Sequence, residues 1–165
     1  MNVRIAETQA SKAVGVSTKI VDPYREIAVF AEQIWNDGRH DRVNETVGRP
    51  IRTMLSGYHY DFREDGTRQY MMGTELEEEV EVPSDLTVID IPGGSYAVFE
   101  MSATQPDDQE IDTQIQDLWR RIYSEWFPSS RFEQAEGPCI ETYAWTDEAS
   151  GDYKSEIWIP VRIKA

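Results

Sequence analysis

Glu156 and Trp158 stand two residues apart in Ser155-Glu156-Ile157-Trp158-Ile159-Pro160-Val161, near the end of a 165-residue chain. Strand side chains alternate between faces, so Glu156 and Trp158 share one side while Ile157, Ile159 and Val161 take the other. A carboxylate held out of water must find donors, take up a proton or hold a cation. A positive charge about 4 Å away gains roughly 4 kcal/mol at an effective dielectric of about 20, before desolvation is subtracted. An indole or phenol face adds about 0.5–2 kcal/mol of cation–π attraction. Tyr143 and Trp145 share a face of the preceding strand, and across the hairpin these groups are expected to line one surface with Glu156 and Trp158. That chemistry suits a flat or bulky organic cation better than a sugar or a phosphate. The competing expectation puts Trp158, Trp119 and Trp126 in the core and pairs Glu156 with an arginine such as Arg162.

Other reactive residue types offer less. The single cysteine, Cys139, excludes an internal disulfide and reads as a small buried residue rather than a nucleophile. His40 and His59 read as surface residues; no spacing suggests a metal site, and no cofactor is expected. The net charge of −15 argues against nucleic acid and anionic membrane surfaces as partners, and favours cations near the protein. No apolar run approaches the roughly 20 residues of a membrane span, and the N-terminus does not resemble a signal peptide. With one cysteine, the expected setting is a reducing cytoplasm.

The elements that must position these residues alternate in period. Residues 2–20 read as one strand, interrupted or bulged at Gly15. Asp22-Pro23 opens a helix whose stripe is Tyr24, Ile27, Ala28, Ala31, Ile34 and Trp35, and Asp37-Gly38 closes it. Residues 36–50 are polar, without a period, and read as a long connection. A strand from Thr53 to Phe62, with Tyr58, Tyr60 and Phe62 on one face, turns at Glu64-Asp65-Gly66-Thr67 into a strand from Arg68 to Glu75. Tyr60 is a candidate for the wall opposite Glu156. The acidic run 75–81 reads as a solvated strand end.

After Pro83 come strand segments 86–91 and 95–101 around Pro92-Gly93-Gly94. A long helix follows from Pro106-Asp107-Asp108 to Pro128, with Ile111, Ile115, Leu118, Trp119, Ile122, Tyr123 and Trp126 as its stripe. Strands 139–146 and 154–164 flank a turn at 147–152. The chain is therefore expected to be one α+β domain with a tandem β-α-β-β pseudo-repeat. Its halves are residues 1–83 and 84–165, with antiparallel sheets, two long helices and a ligand groove where the halves meet.

Several of these stretches resemble one family. Ile91-Pro92-Gly93-Gly94-Ser95-Tyr96-Ala97-Val98-Phe99 resembles a strand of the GyrI-like small-molecule-binding domains, which also serve as effector-binding modules of AraC- and MerR-type drug-sensing regulators. Leu118–Pro128 is similar to that family's helix end, Glu141-Thr142-Tyr143 to its "FExY" strand, and Glu156–Val161 to its closing strand. The resemblance implies binding of hydrophobic, often cationic compounds between the halves. It carries the family's acidic residue to Glu156, and wall aromatics to Trp119 or Trp126 and to Tyr143. No helix-turn-helix segment precedes these motifs, so the expectation is a stand-alone module without direct nucleic-acid contact.

Three functions compete. The first is a binding module for hydrophobic or cationic small molecules, using Glu156, Trp158, Tyr143, Trp119, Trp126, Trp145 and Tyr60. The second is a hydrolase of strained electrophiles, in which Glu156 handles water as a general base beside Tyr143 or Trp119. The third is an acidic protein-interaction role toward a regulator or gyrase, resting on the 75–81 run.

Overall fold

The computed structural model describes residues 1–147 and 151–165, and of these the side chains of all but Tyr24, Trp145, Thr146 and Asp147. Within that range the chain is α+β with antiparallel strand pairing. Its contacts divide it into two compact units that do not follow the sequence halves. A middle unit runs from Gln9 to Gly93, and a split unit combines Met1–Thr8 with Gly94–Ala165.

The expected single N-terminal strand is two. β1 (Asn2–Thr8) belongs to the split unit, and β2 (Ser11–Ile20) to the middle one. The break falls at Gln9-Ala10. Gly15 continues its strand, because it lies opposite Gly73 where the two backbones approach closely. A Cβ on Gly15 would meet the Met72 carbonyl oxygen at 2.2 Å and the Gly73 Cα at 2.6 Å. Glycine is there for space, not for a bulge.

In the middle unit, α1 (Pro23–Asn36) starts at Asp22-Pro23 as the sequence indicates. Its entry is fastened from within: the Glu26 carboxylate accepts from the backbone N–H groups of Val21 and Asp22, both at 2.6 Å. The expected connection 36–50 contains a second helix, α2 (Arg39–Thr46). Val43 is its only apolar residue, so periodicity gives no signal. Buried polar groups hold it instead, since the Thr53 carbonyl accepts from Asn44 Nδ2 at 2.8 Å and lies 3.0 Å from His40 Nε2. His40 and His59, expected on the surface, are buried at 7% and 2% exposure. His59 Nδ1 accepts from the Arg68 guanidinium at 3.0 Å, which satisfies it in the interior.

β3 (Ser56–Tyr60) is shorter than expected because Asp61 takes a left-handed φ of 51°, so alternation stops before Phe62. β4 (Arg68–Glu75) has the expected bounds, and the acidic residues after it are exposed. β5 (Thr87–Ile91) completes this unit's sheet, ordered β3-β4-β2-β5. Val14, Val16, Ile20, Phe30, Ile34, Leu55 and Tyr70 fill its core.

The split unit orders its strands β1-β6-β9-β8, where β6 is Gly94–Thr104, β8 is Cys139–Asp147 and β9 is Asp152–Ile163. β1 runs antiparallel beside β6, with Thr8 opposite Gly94. The short β7 (Phe132–Gln134) pairs with the end of β9. α3 (Asp108–Arg121) opens with the Asp107 carboxylate accepting from Glu110 N at 2.8 Å. It then widens into a π-helical turn, Ile122–Trp126, in which the Phe127 N–H reaches the Ile122 carbonyl, and ends with the turn Phe127–Ser129. Ile115, Leu118 and Ile122 pack on Ala97, Phe99, Ile157 and Ile159 in this unit's core. Of the expected turn at 147–152, residues 148–150 lie outside the described residues, and Asp147 pairs with Asp152.

Candidate functional site

β8 and β9 pair so that Thr142 faces Glu156 and Ile140 faces Trp158. Residues opposite one another in a register share a face of the sheet. Thr142 and Ile140 therefore lie on the side of Glu156 and Trp158, while Cys139, Glu141 and Tyr143 lie on the other, toward α3. The expected surface shared by Glu156, Trp158 and Tyr143 does not form, because that face belongs to the even-numbered residues of β8. The side chain of Trp145 lies outside the described residues.

On the α3 side, Glu141 is buried to 6% exposure. Its Oε1 accepts from Trp119 Nε1 at 2.6 Å, and its Oε2 from the Tyr143 hydroxyl. Both of these donors are aromatic side chains, and they fix the two carboxylate oxygens in place. Trp119 stacks nearly parallel to Tyr123, with centroids 6.3 Å apart and planes 8° apart, and Tyr123 stacks in turn on Phe127. Trp126 meets Phe99 edge to face at 4.9 Å and stacks on Phe132. The π turn stands between Trp119 and Phe127, and such turns are frequent at functional sites. Tyr123 is 47% exposed, so this aromatic row runs from the core out to solvent.

Tyr153, buried at 3% exposure, forms part of the same core. Burial drives its phenol pKa up; a Ser155 hydrogen bond draws it partly back, and the Glu141, Asp112 and Asp108 carboxylates add to the rise. Asp112 is likewise held above the usual carboxylate range, by partial burial first and then by the Asp108 and Glu141 charges. Carboxylates and aromatic rings thus come together between α3 and β8–β9.

On the opposite face Glu156 has an ion-pair partner, while Trp158 Nε1 and the Tyr96 hydroxyl are buried without a hydrogen-bond partner among the described residues. Glu156 accepts from Arg4 Nη1 at 2.8 Å, and the Arg4 guanidinium lies 5.6 Å from the Trp158 ring centroid. The arginine thus comes from β1; Arg162 instead pairs with Glu133. Trp158 also contacts Tyr96, with centroids 6.0 Å apart. Tyr60, in the middle unit, shares a hydrogen bond of 2.8 Å with Ser17.

Of the residues singled out from sequence, Trp119 and Tyr143 converge, and Trp126 packs against the core beside them. Glu156 and Trp158 form a separate group on the other face. Glu141 was passed over although it stands two residues before Tyr143, a spacing that puts both on one face of a strand. Among the described residues no group of His, Cys, Asp and Glu could hold a metal ion. No described helix is long and apolar enough to cross a membrane.

Residues 4–161 match the family described as Cass2, integron-associated effector binding protein. A DNA gyrase inhibitor of Erwinia billingiae is 27% identical over 174 aligned positions, covering 98% of this chain and 97% of that one. The structure of SAV2435 bound to tetraphenylphosphonium has the same fold, with a TM-score of 0.72, 19% identity, and coverage of 98% and 94% of the two chains. An integron cassette protein of Vibrio cholerae superposes with a TM-score of 0.65 at 14% identity, covering 97% and 95%.

Proposed function

The chain belongs to the Cass2 family of integron-associated effector binding proteins, and we propose that it binds hydrophobic cationic small molecules beneath α3, with Glu141 as their counter-ion. One observation carries this reading: a buried carboxylate whose two oxygens accept from an indole and a phenol, in the midst of aromatic rings. Those rings offer π faces to the cation that the carboxylate attracts. The neighbour of the same fold solved with tetraphenylphosphonium, a bulky aromatic cation, supports the ligand class. Glu141 takes the role first expected of Glu156, whose charge is answered by Arg4.

Titration with tetraphenylphosphonium, followed by tryptophan fluorescence, tests the proposal. Wild type is expected to show saturable quenching, weakened about tenfold or more in Glu141→Gln. Equal binding by that variant removes the carboxylate from the site.

A second reading rests on the relatives named DNA gyrase inhibitor and on the exposed acids between Glu75 and Glu81. In it, the acidic run contacts a basic surface of gyrase. Supercoiling assays with wild type and with a chain carrying Gln at positions 75, 77, 78, 79 and 81 decide it. Lack of inhibition by wild type, or equal inhibition by both, removes this reading.

A further inference from the structure

We propose that the indole N–H of Trp158 and the hydroxyl of Tyr96 form a two-donor seat for an uncharged oxygen acceptor, on the sheet face away from α3. The acceptor is the carbonyl oxygen of a small neutral molecule or an enclosed water, which share this chemistry. The seat is independent of the cation-binding reading, which concerns the other face.

The register puts both rings on one face. Tyr96 stands opposite Ala6 and Pro160, and Trp158 opposite Val98 and Ile140. Their ring centroids are 6.0 Å apart. The four side chains opposite them are apolar, so none offers an acceptor. Tyr96 is 2% exposed. Its hydroxyl and Trp158 Nε1 are both shielded from solvent, with no hydrogen-bond partner among the described residues. An indole N–H can only donate, so an acceptor has to come to it. Leaving two neighbouring donors dry in the interior is costly, and folded chains rarely do so.

Charge narrows the class of acceptor. The Arg4 guanidinium already stands 5.6 Å from the Trp158 centroid, where an external cation would stack. The two donors repel any further cation. An anion fares no better, because Glu156 meets Arg4 at 2.8 Å and Glu100 meets Lys154 on the same face. Each of these two cations has its carboxylate, and an anion would displace one. An uncharged oxygen asks neither pair to break. The Arg4 side chain is half exposed and lies over the Trp158 ring, so it marks the side on which the seat borders solvent.

N-methylpyrrolidone and N-methylpyrrolidine are the matched probes. The first presents a neutral carbonyl; the second, protonated at neutral pH, presents a similar ring with a charge and no acceptor. Proton–nitrogen correlation spectra of the full chain follow the indoles of its five tryptophans, and the signal lost in Trp158→Phe identifies Trp158. N-methylpyrrolidone is expected to shift that signal saturably in the millimolar range, with affinity about fivefold weaker in Tyr96→Phe. N-methylpyrrolidine is expected to leave it in place.

If N-methylpyrrolidone leaves the signal in place but the indole proton shows cross-relaxation to a long-lived water that is lost in Tyr96→Phe, the acceptor is water and the seat stands. An indole with neither partner, an equal shift by protonated N-methylpyrrolidine, or unchanged affinity in Tyr96→Phe overturns the seat. Thermal melts give a second measure, since Tyr96→Phe keeps the ring and removes only the hydroxyl. A hydroxyl bonded to an acceptor makes the variant melt below wild type; a dry one makes it melt at the same temperature or above, which also overturns the seat.

Discussion

The indole of Trp119 donates its hydrogen to the buried carboxylate of Glu141, with 2.6 Å from nitrogen to oxygen. This bond ties α3 to β8. Replacing Trp119 by Phe keeps an aromatic ring but removes the donor. Leaving a buried acceptor one donor short is expected to cost about 1–3 kcal/mol. A urea unfolding curve checks this, and an unchanged midpoint would show that solvent replaces the donor freely.

Asp112 has a folded-state pKa above its unfolded one, through burial and then the charges of Asp108 and Glu141. Its contribution to stability is therefore present below the unfolded pKa and lost as pH rises through the folded value. At neutral pH the ionised group weighs against the fold. Asp112→Asn should melt at a higher temperature than wild type at pH 7, with the gap closing toward pH 3.

Tyr58 is pushed up to about 12, by burial and then by the nearby Glu75 charge, and Tyr153 is also raised. For both phenols the sign is the same: the unfolded chain ionises near pH 10 while the folded one resists. Stability should be flat below pH 10 and fall above it, by up to about 1.4 kcal/mol per pH unit for each group. Tyr58→Phe should flatten the decline in thermal melts between pH 9 and pH 11.5. A melt curve identical to that of wild type across this range would refute the assignment.

Arg4 ties β1 to Glu156 and covers Trp158, on the face away from α3. Arg4 is half exposed, so Arg4→Ala should cost no more than about 1 kcal/mol. Tetraphenylphosphonium affinity should be unchanged in Arg4→Ala and Glu156→Gln. A loss of affinity in either variant would move the ligand to this second face.

Gly15→Ala is the severest single change expected. The added methyl would stand 2.2 Å from the Met72 carbonyl oxygen, which is backbone and has no rotamer to yield. A cost of about 3 kcal/mol or more is anticipated, measurable as a loss of soluble folded protein or a sharply lower melting temperature.

Where local patterns carried the fold, the sequence sufficed. Asp22-Pro23 marks the start of α1, and the Asp65-Gly66 turn marks the hairpin before β4, because caps and turns are written in neighbouring residues. α2 escaped because Arg39–Thr46 has one apolar residue and is held by the distant Thr53 carbonyl. Buried His59 escaped for a similar reason, since its partner Arg68 lies across a hairpin. The face of Glu156 was readable as an alternation, and so was the face shared by Glu141 and Tyr143. Which of the two faces meets α3 depends on the pairing of Thr142 with Glu156, a long-range register that no local spacing records.

Thr8 and Gly94 are neighbours across the β1–β6 ladder, and everything between them forms the middle unit. The split unit is topologically a host, with residues 9–93 as a guest inserted at the tip of a hairpin. Cleaving the chain near Pro83 would strand β1 and β5 on the wrong fragments. Excising residues 9–93 and joining Thr8 to Gly94 through a tight turn would instead leave β1 contiguous with the strand it pairs. The Glu141–Trp119 pair would be retained whole within that shorter chain.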